Sequence, residues 1–106
     1  MESGVKFSEC KNILTATLGG EIDHHLVKEQ REAIDAMLFR KKPEILMLDF
    51  SSVKFMDSSG IALIIGRADI AEGLGCKVCV KGLSGTLKKL VRLSGVEKLK
   101  NLTVED

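Results

Sequence analysis

Phe55-Met56-Asp57-Ser58-Ser59-Gly60 stands between two apolar segments of different period, and its reading decides the fold. Upstream, Ile45-Leu46-Met47-Leu48 is a continuous apolar run of the kind that fills a covered sheet, and Phe50 extends it by alternation. Downstream, Ile61, Ile64, Ile65, Ala68 and Ala71 recur at helical spacing and mark one buried face. A strand therefore gives way to a helix near Asp57, Ser58 or Ser59, whose side-chain oxygens accept from the first orphan N–H groups of a helix. Two readings of this junction stand side by side. In one, the run is ordinary capping. In the other, a hydroxyl at the positive end of a helix dipole is a modification site. An added phosphate there gains charge-assisted hydrogen bonds while placing about −1.5 to −2 charges beside Asp57 and on any surface docked against it.

Working outward, alternation at Val5, Phe7 and Glu9, a polar stretch over residues 9–12 and an apolar one over residues 13–18 ending at Gly19-Gly20 predict an antiparallel hairpin. Leu26, Gln30, Ala33, Ile34, Met37 and Leu38 form a stripe, which predicts a helix capped by Asp23 and ended by Lys41-Lys42-Pro43. A central strand is expected over about residues 44–50, a helix over about 58–72 before Gly73-Leu74-Gly75, and a strand over about 76–80. Ser84 caps a further short helix carrying Leu87, Leu90 and Val91, closed by Ser94-Gly95, and residues 96–104 leave room for one last helix or strand. Strands alternating with helices imply parallel neighbours joined by right-handed crossovers. The expected fold is α/β: one domain over residues 1–106, with a mixed, mostly parallel sheet, an N-terminal antiparallel hairpin and interspersed helices.

At 106 residues the chain has room for one core and none for a second catalytic or effector module, so it is expected to act through its surface. Sixteen basic residues against fifteen acidic ones, without a basic-aromatic platform, leave no footprint for nucleic acid. No apolar stretch reaches membrane-spanning length, and Met1-Glu2-Ser3-Gly4-Val5-Lys6 lacks the regions of a signal peptide, so a cytoplasmic protein without membrane association is expected. Three cysteines, an odd set, argue against a disulfide framework. Cys76-Lys77-Val78-Cys79 has redox or zinc spacing, yet residues three apart on a strand face opposite ways and no second pair completes a metal set. Core or half-buried thiols are expected.

Three further constellations bear on chemistry. Ser58, His24 or His25, and Asp23 or Asp57 supply the residue types of a small serine hydrolase, but the serine lacks the glycine two residues before it that a nucleophile elbow needs. Adjacent His24 and His25 at a helix start are expected to diverge, one over apolar surface and one in solvent, and no third histidine supports a metal site. Residues 82–89 lack P-loop spacing, and Lys88, Lys89 and Arg92 read as a solvated face. Arg67 lies about two helical turns past Ser58, too far for a direct phosphate clamp.

Taken in order, Gly20-Glu21-Ile22-Asp23-His24-His25, Phe55-Met56-Asp57-Ser58-Ser59-Gly60-Ile61, Ile65-Gly66-Arg67 and Leu93-Ser94-Gly95-Val96 make the whole chain resemble the STAS-domain anti-sigma factor antagonists, the sporulation type above all. The resemblance implies a STAS-like fold and a non-enzymatic phosphoprotein of a partner-switching cascade. Unmodified, it binds an anti-sigma factor with serine kinase activity and frees a sigma factor; phosphorylation at Ser58 reverses this, and a serine phosphatase restores the active form. No cofactor is implied for the chain itself, ATP being bound by the kinase. The partner surface is expected to comprise Glu21, Asp23, His24 and His25 from one loop and Met56, Asp57, Ser58, Ser59, Gly60 and Ile61 from the other, with Leu63 framing it. A STAS regulator of another stress or transport system is the alternative. Family members often carry a further C-terminal helix, expected to be absent or shortened before Glu105-Asp106.

Overall fold

A computed structural model describes residues 4–105. Strands β1 (Val5–Cys10) and β2 (Ile13–Ile22) form the expected hairpin, followed by α1 (Val27–Lys41), β3 (Ile45–Met56), α2 (Ser58–Gly73), β4 (Lys77–Lys81), α3 (Gly85–Ser94), a 3-10 turn at Val96–Lys98 and β5 (Leu102–Val104). The five strands lie in the order β1-β2-β3-β4-β5, with β1 and β2 antiparallel and every later pair parallel. Each crossover moves the chain one strand onward in the same direction, so right-handed connections stack all three helices on one face of the sheet.

The side-chain alternation follows from that stacking. Leu14, Ala16, Leu18, Leu46, Leu48, Phe50, Val78 and Val80 are buried, while their neighbours Thr15, Thr17, Met47, Asp49 and Cys79 are half-exposed on the other face. The apolar run at residues 45–48 therefore does not fill a sheet covered on both sides. Only its even-numbered members reach the core, because no described element crosses the opposite face.

Several boundaries differ from the sequence reading. β2 runs on through Gly19 and Gly20 to Ile22, and β3 continues past Phe50 to Met56. The two keep pairing by shifting register, between Thr17 and Gly19 and again between Gly20 and Glu21, and Gly20 takes a positive φ of 72° there. Asp23 does not cap α1, whose N-cap position is Leu26 without any side-chain bond. On α2, Leu63 and Arg67 join Ile64, Ala68 and Ala71 in the buried set, whereas Ile65 is 43% exposed. Residues 96–104 form both a 3-10 turn and a strand, since Gly95, with φ of 80°, ends α3 and redirects the chain before β5 pairs with β4.

Cys76 precedes β4 and is buried; Cys79 sits half-exposed on the open face, its thiol donating to Glu105 Oε2 at 3.0 Å. Burial pushes both thiols above their usual range. No helix among the described residues is long and apolar enough to cross a membrane.

Candidate functional site

Parallel pairing of β2 with β3 brings the two sequence motifs together. Glu21 lies beside Phe55 and Ile22 beside Met56, and the Asp57 N–H donates to the Ile22 carbonyl at 3.3 Å, so both loops leave the same end of the sheet side by side. Asp57 is the extended N-cap of α2, its carboxylate accepting from the Ser59 N–H at 2.8 Å. That geometry makes Ser58 the first helical residue and leaves it exposed, with Ser59 half-buried behind it.

In the other loop the Asp23 carboxylate accepts from the His25 N–H at 2.9 Å and the Leu26 N–H at 3.2 Å. These backbone bonds, the Leu26 one foremost, hold the carboxyl below the ordinary aspartate range. Asp23 thus organises a turn rather than a helix. This corrects the expected behaviour of the histidines: His24 and His25 are both exposed, and their rings lie together, centroids 4.1 Å apart and tilted by 37°. Residues 24–26 form a turn ahead of α1, so the divergence of neighbours around a helix axis does not apply to them.

Not every residue expected at the surface is there. Met56 is 4% exposed and Leu63 1%, and Gly60 is buried over Met56. These three support the site from beneath. A Cβ at Gly60 would overlap Met56 Cγ and Sδ, so the glycine is what lets α2 begin directly against the end of β3. Ile61 is half-buried at the rim.

Starting at Ser58, an open groove of about 500 Å³ runs between α2 and α3, walled by Ile61, Ala62, Ile65, Leu90 and Leu93 and reaching Ser94. Leu93 is 86% exposed, and Phe55 on the neighbouring strand end 52%. Sequence reasoning passed over Phe55, Leu90 and Leu93 as site residues. The available signal was phase: Ile65 falls off the buried stripe of α2, and Leu93 follows Leu90 by three on a helix whose buried residues are Leu87 and Val91. Charges of both signs border this apolar strip. Glu21, Asp23 and Asp57 lie at the ends of β2 and β3 with Lys54 beside Phe55, and Lys88, Lys89 and Arg92 line a hollow beside Leu93. Among the described residues no three His, Cys, Asp or Glu side chains gather as a metal site.

Arg67, too far from Ser58 to reach a phosphate, turns inward. It is 5% exposed, with Nε 2.6 Å from Asp35 Oδ1 on α1. The contact lies off the hydrogen-bonding axis and is an ion contact rather than a linear hydrogen bond; Arg67 Nη1 is buried with no acceptor among the described residues.

An exposed helix-start serine thus stands between an acidic turn and an apolar groove. Residues 6–105 match the STAS domain family. An anti-sigma F factor antagonist of Paenibacillus polymyxa is 28% identical over 99 residues, covering 93% of this chain and 85% of the relative. Another, of Lysinibacillus sphaericus, is 33% identical over 79 residues, covering 74% and 68%. The solved structure of the Bacillus cell fate determinant SpoIIAA in its phosphorylated form superposes with a TM-score of 0.72 at 25% identity, over 96% of this chain and 91% of that one. The chain belongs to the STAS domain family.

Proposed function

We propose that the protein is an anti-sigma factor antagonist whose docking surface is switched by phosphorylation of Ser58. The unmodified form binds an anti-sigma factor that is also a serine kinase, so that a sigma factor is released. The kinase holds ATP and transfers its terminal phosphoryl group to the Ser58 hydroxyl, and a serine phosphatase removes it. The chain acts as a binding partner and substrate, not as an enzyme.

The observation that carries this reading is the position of Ser58: exposed, first in α2, and at the mouth of the apolar groove. A phosphate there sits at a helix N-terminus, which tolerates it, so the fold survives modification. The same phosphate adds charge beside Asp57, near Glu21 and Asp23, where a docked partner must bury it. One residue thus separates a change in binding from a change in folding. Its relatives are named for antagonism of an anti-sigma factor, and one solved relative is a phosphorylated form, which supports the same reading here.

The test is site-mapped phosphorylation. Incubated with an anti-sigma kinase and ATP, wild type and Ser59→Ala are expected to take one phosphate and Ser58→Ala none, with all three folded. Stoichiometric phosphorylation of Ser58→Ala would remove Ser58 from the account.

A further inference from the structure

The two loops of the docking surface hang on different scaffolds. Ser58 follows β3 directly, and the Asp57–Ile22 backbone bond ties the near end of the turn at residues 23–26 to the same sheet edge. The far end of that turn is α1, whose first N–H, that of Val27, donates to the Asp23 carbonyl at 3.0 Å, so turn and helix start are one piece. The place of α1 against α2 therefore bears on where His24, His25 and Leu26 stand relative to Ser58.

The two helices run side by side from the same edge, and Asp35 and Arg67 each lie between two and three turns into their helix. The contact between them is thus at equal height. The hydrophobic driving force between α1 and α2 is non-directional, so any one choice of register needs a directional contact or a specific fit of side chains to single it out. The charge pair is directional: Arg67 is buried and Asp35 is half-buried with its Oδ1 turned inward, so a displacement that parts them leaves a desolvated guanidinium without that carboxylate. Burial pushes the Asp35 carboxyl up and pulls the Arg67 guanidinium down, with their mutual attraction opposing each. A pair whose desolvation is not fully repaid is a poor stability device, and fixing register is the best-attested use of such pairs.

We infer that Asp35 and Arg67 are positioning residues: their buried contact sets the register of α1 against α2 and so holds the turn at residues 23–26 where a docking partner meets it together with Ser58. The inference rests on the reading that a partner docks there, but its first consequence is visible in the isolated protein.

The experiment compares wild type, the apolar replacement Asp35→Leu with Arg67→Met, the near-isosteric Asp35→Asn, and Arg67→Lys, which keeps the charge. Urea unfolding, amide NMR with NOEs between residues 23–26 and 57–58, and affinity for the anti-sigma kinase are measured on each. The apolar double variant is expected to remain folded and at least as stable as wild type, yet to shift the amides of His24, His25 and Leu26, change their NOEs to Asp57 and Ser58, and lose about tenfold in affinity. Arg67→Lys is expected to stay close to wild type in all three. Should the double variant fail to fold, Asp35→Asn gives the same readout. Unchanged amides and NOEs in a folded variant overturn the inference whatever the affinity does, as does a variant that loses stability alone. If the turn moves but the kinase does not recognise even wild type, the positioning role stands and the proposed function falls.

Discussion

Replacing Gly60 by alanine tests how α2 is seated on β3. In a helix, alanine is favoured over glycine by about 1 kcal/mol, so propensity alone makes Gly60→Ala stabilising. The new methyl group, however, would overlap Met56 Cγ and Sδ and lie 3.3 Å from Cε. Cγ is the root of a side chain that is itself 4% exposed, so swinging the thioether end aside does not clear the overlap. Overpacking of this kind costs about 1–3 kcal/mol, which leaves a net loss of up to about 2 kcal/mol. Gly66, in the same helix, is the control. A Cβ there meets nothing within 4 Å, so Gly66→Ala is expected to gain about 0.5–1 kcal/mol. The chain has no tryptophan or tyrosine, so urea unfolding is followed by far-UV circular dichroism. The midpoint of Gly60→Ala should fall and that of Gly66→Ala should rise, with slopes unchanged. A Gly60→Ala midpoint at or above wild type would refute the packing argument.

Asp57→Ala removes the cap on Ser59 and is expected to cost about 0.5–2 kcal/mol by thermal unfolding, while Asp57→Ser costs less. Gln30 is fully buried with neither amide atom partnered among the described residues, so Gln30→Leu should raise the melting temperature, by an amount near about 1 kcal/mol of stability. The two aspartates shift in opposite senses. Asp23, held low, contributes stability that is present above the ordinary aspartate pKa and lost as pH falls through its folded value; Asp35, raised by burial, contributes stability that is present at low pH and lost as pH rises through its folded value. Carboxyl-carbon NMR titration should place Asp23 below and Asp35 above the usual midpoint, and Asp35→Asn should abolish the loss on the alkaline side.

Much of this architecture was legible in the sequence because its signals are local. The period change across Phe55-Met56-Asp57-Ser58 placed the start of α2 among Asp57, Ser58 and Ser59, and Ser84 and Gly95 marked both ends of α3 through their own backbone chemistry. What was misread depended on partners distant in sequence. β2 and β3 run longer than their apolar patterns because each is held by the other across shifted register. The covered-sheet reading of residues 45–48 failed because periodicity does not say how many faces an element covers. Asp23 looked like a helix cap because its residue type suits a turn equally well. At the site, adjacency of the two loops followed from resemblance alone, and the structure gives its cause in the pairing of Ile22 with Met56. The Asp35–Arg67 contact and the α2–α3 groove are relations between helices, and neither is written in any one helix.

The central claim is that charge at Ser58 controls docking without disturbing the fold. Calorimetric titration of the anti-sigma kinase with unmodified protein and with protein phosphorylated on Ser58 tests it directly, with an amide NMR spectrum of each form to report on folding. The account predicts affinity lower by at least about a hundredfold, which is about 2.7 kcal/mol, for the phosphorylated form, with shifts confined to the two loops, the start of α2 and the α3 residues that share its groove. Equal affinity of the two forms, or rearrangement reaching β4, would contradict it.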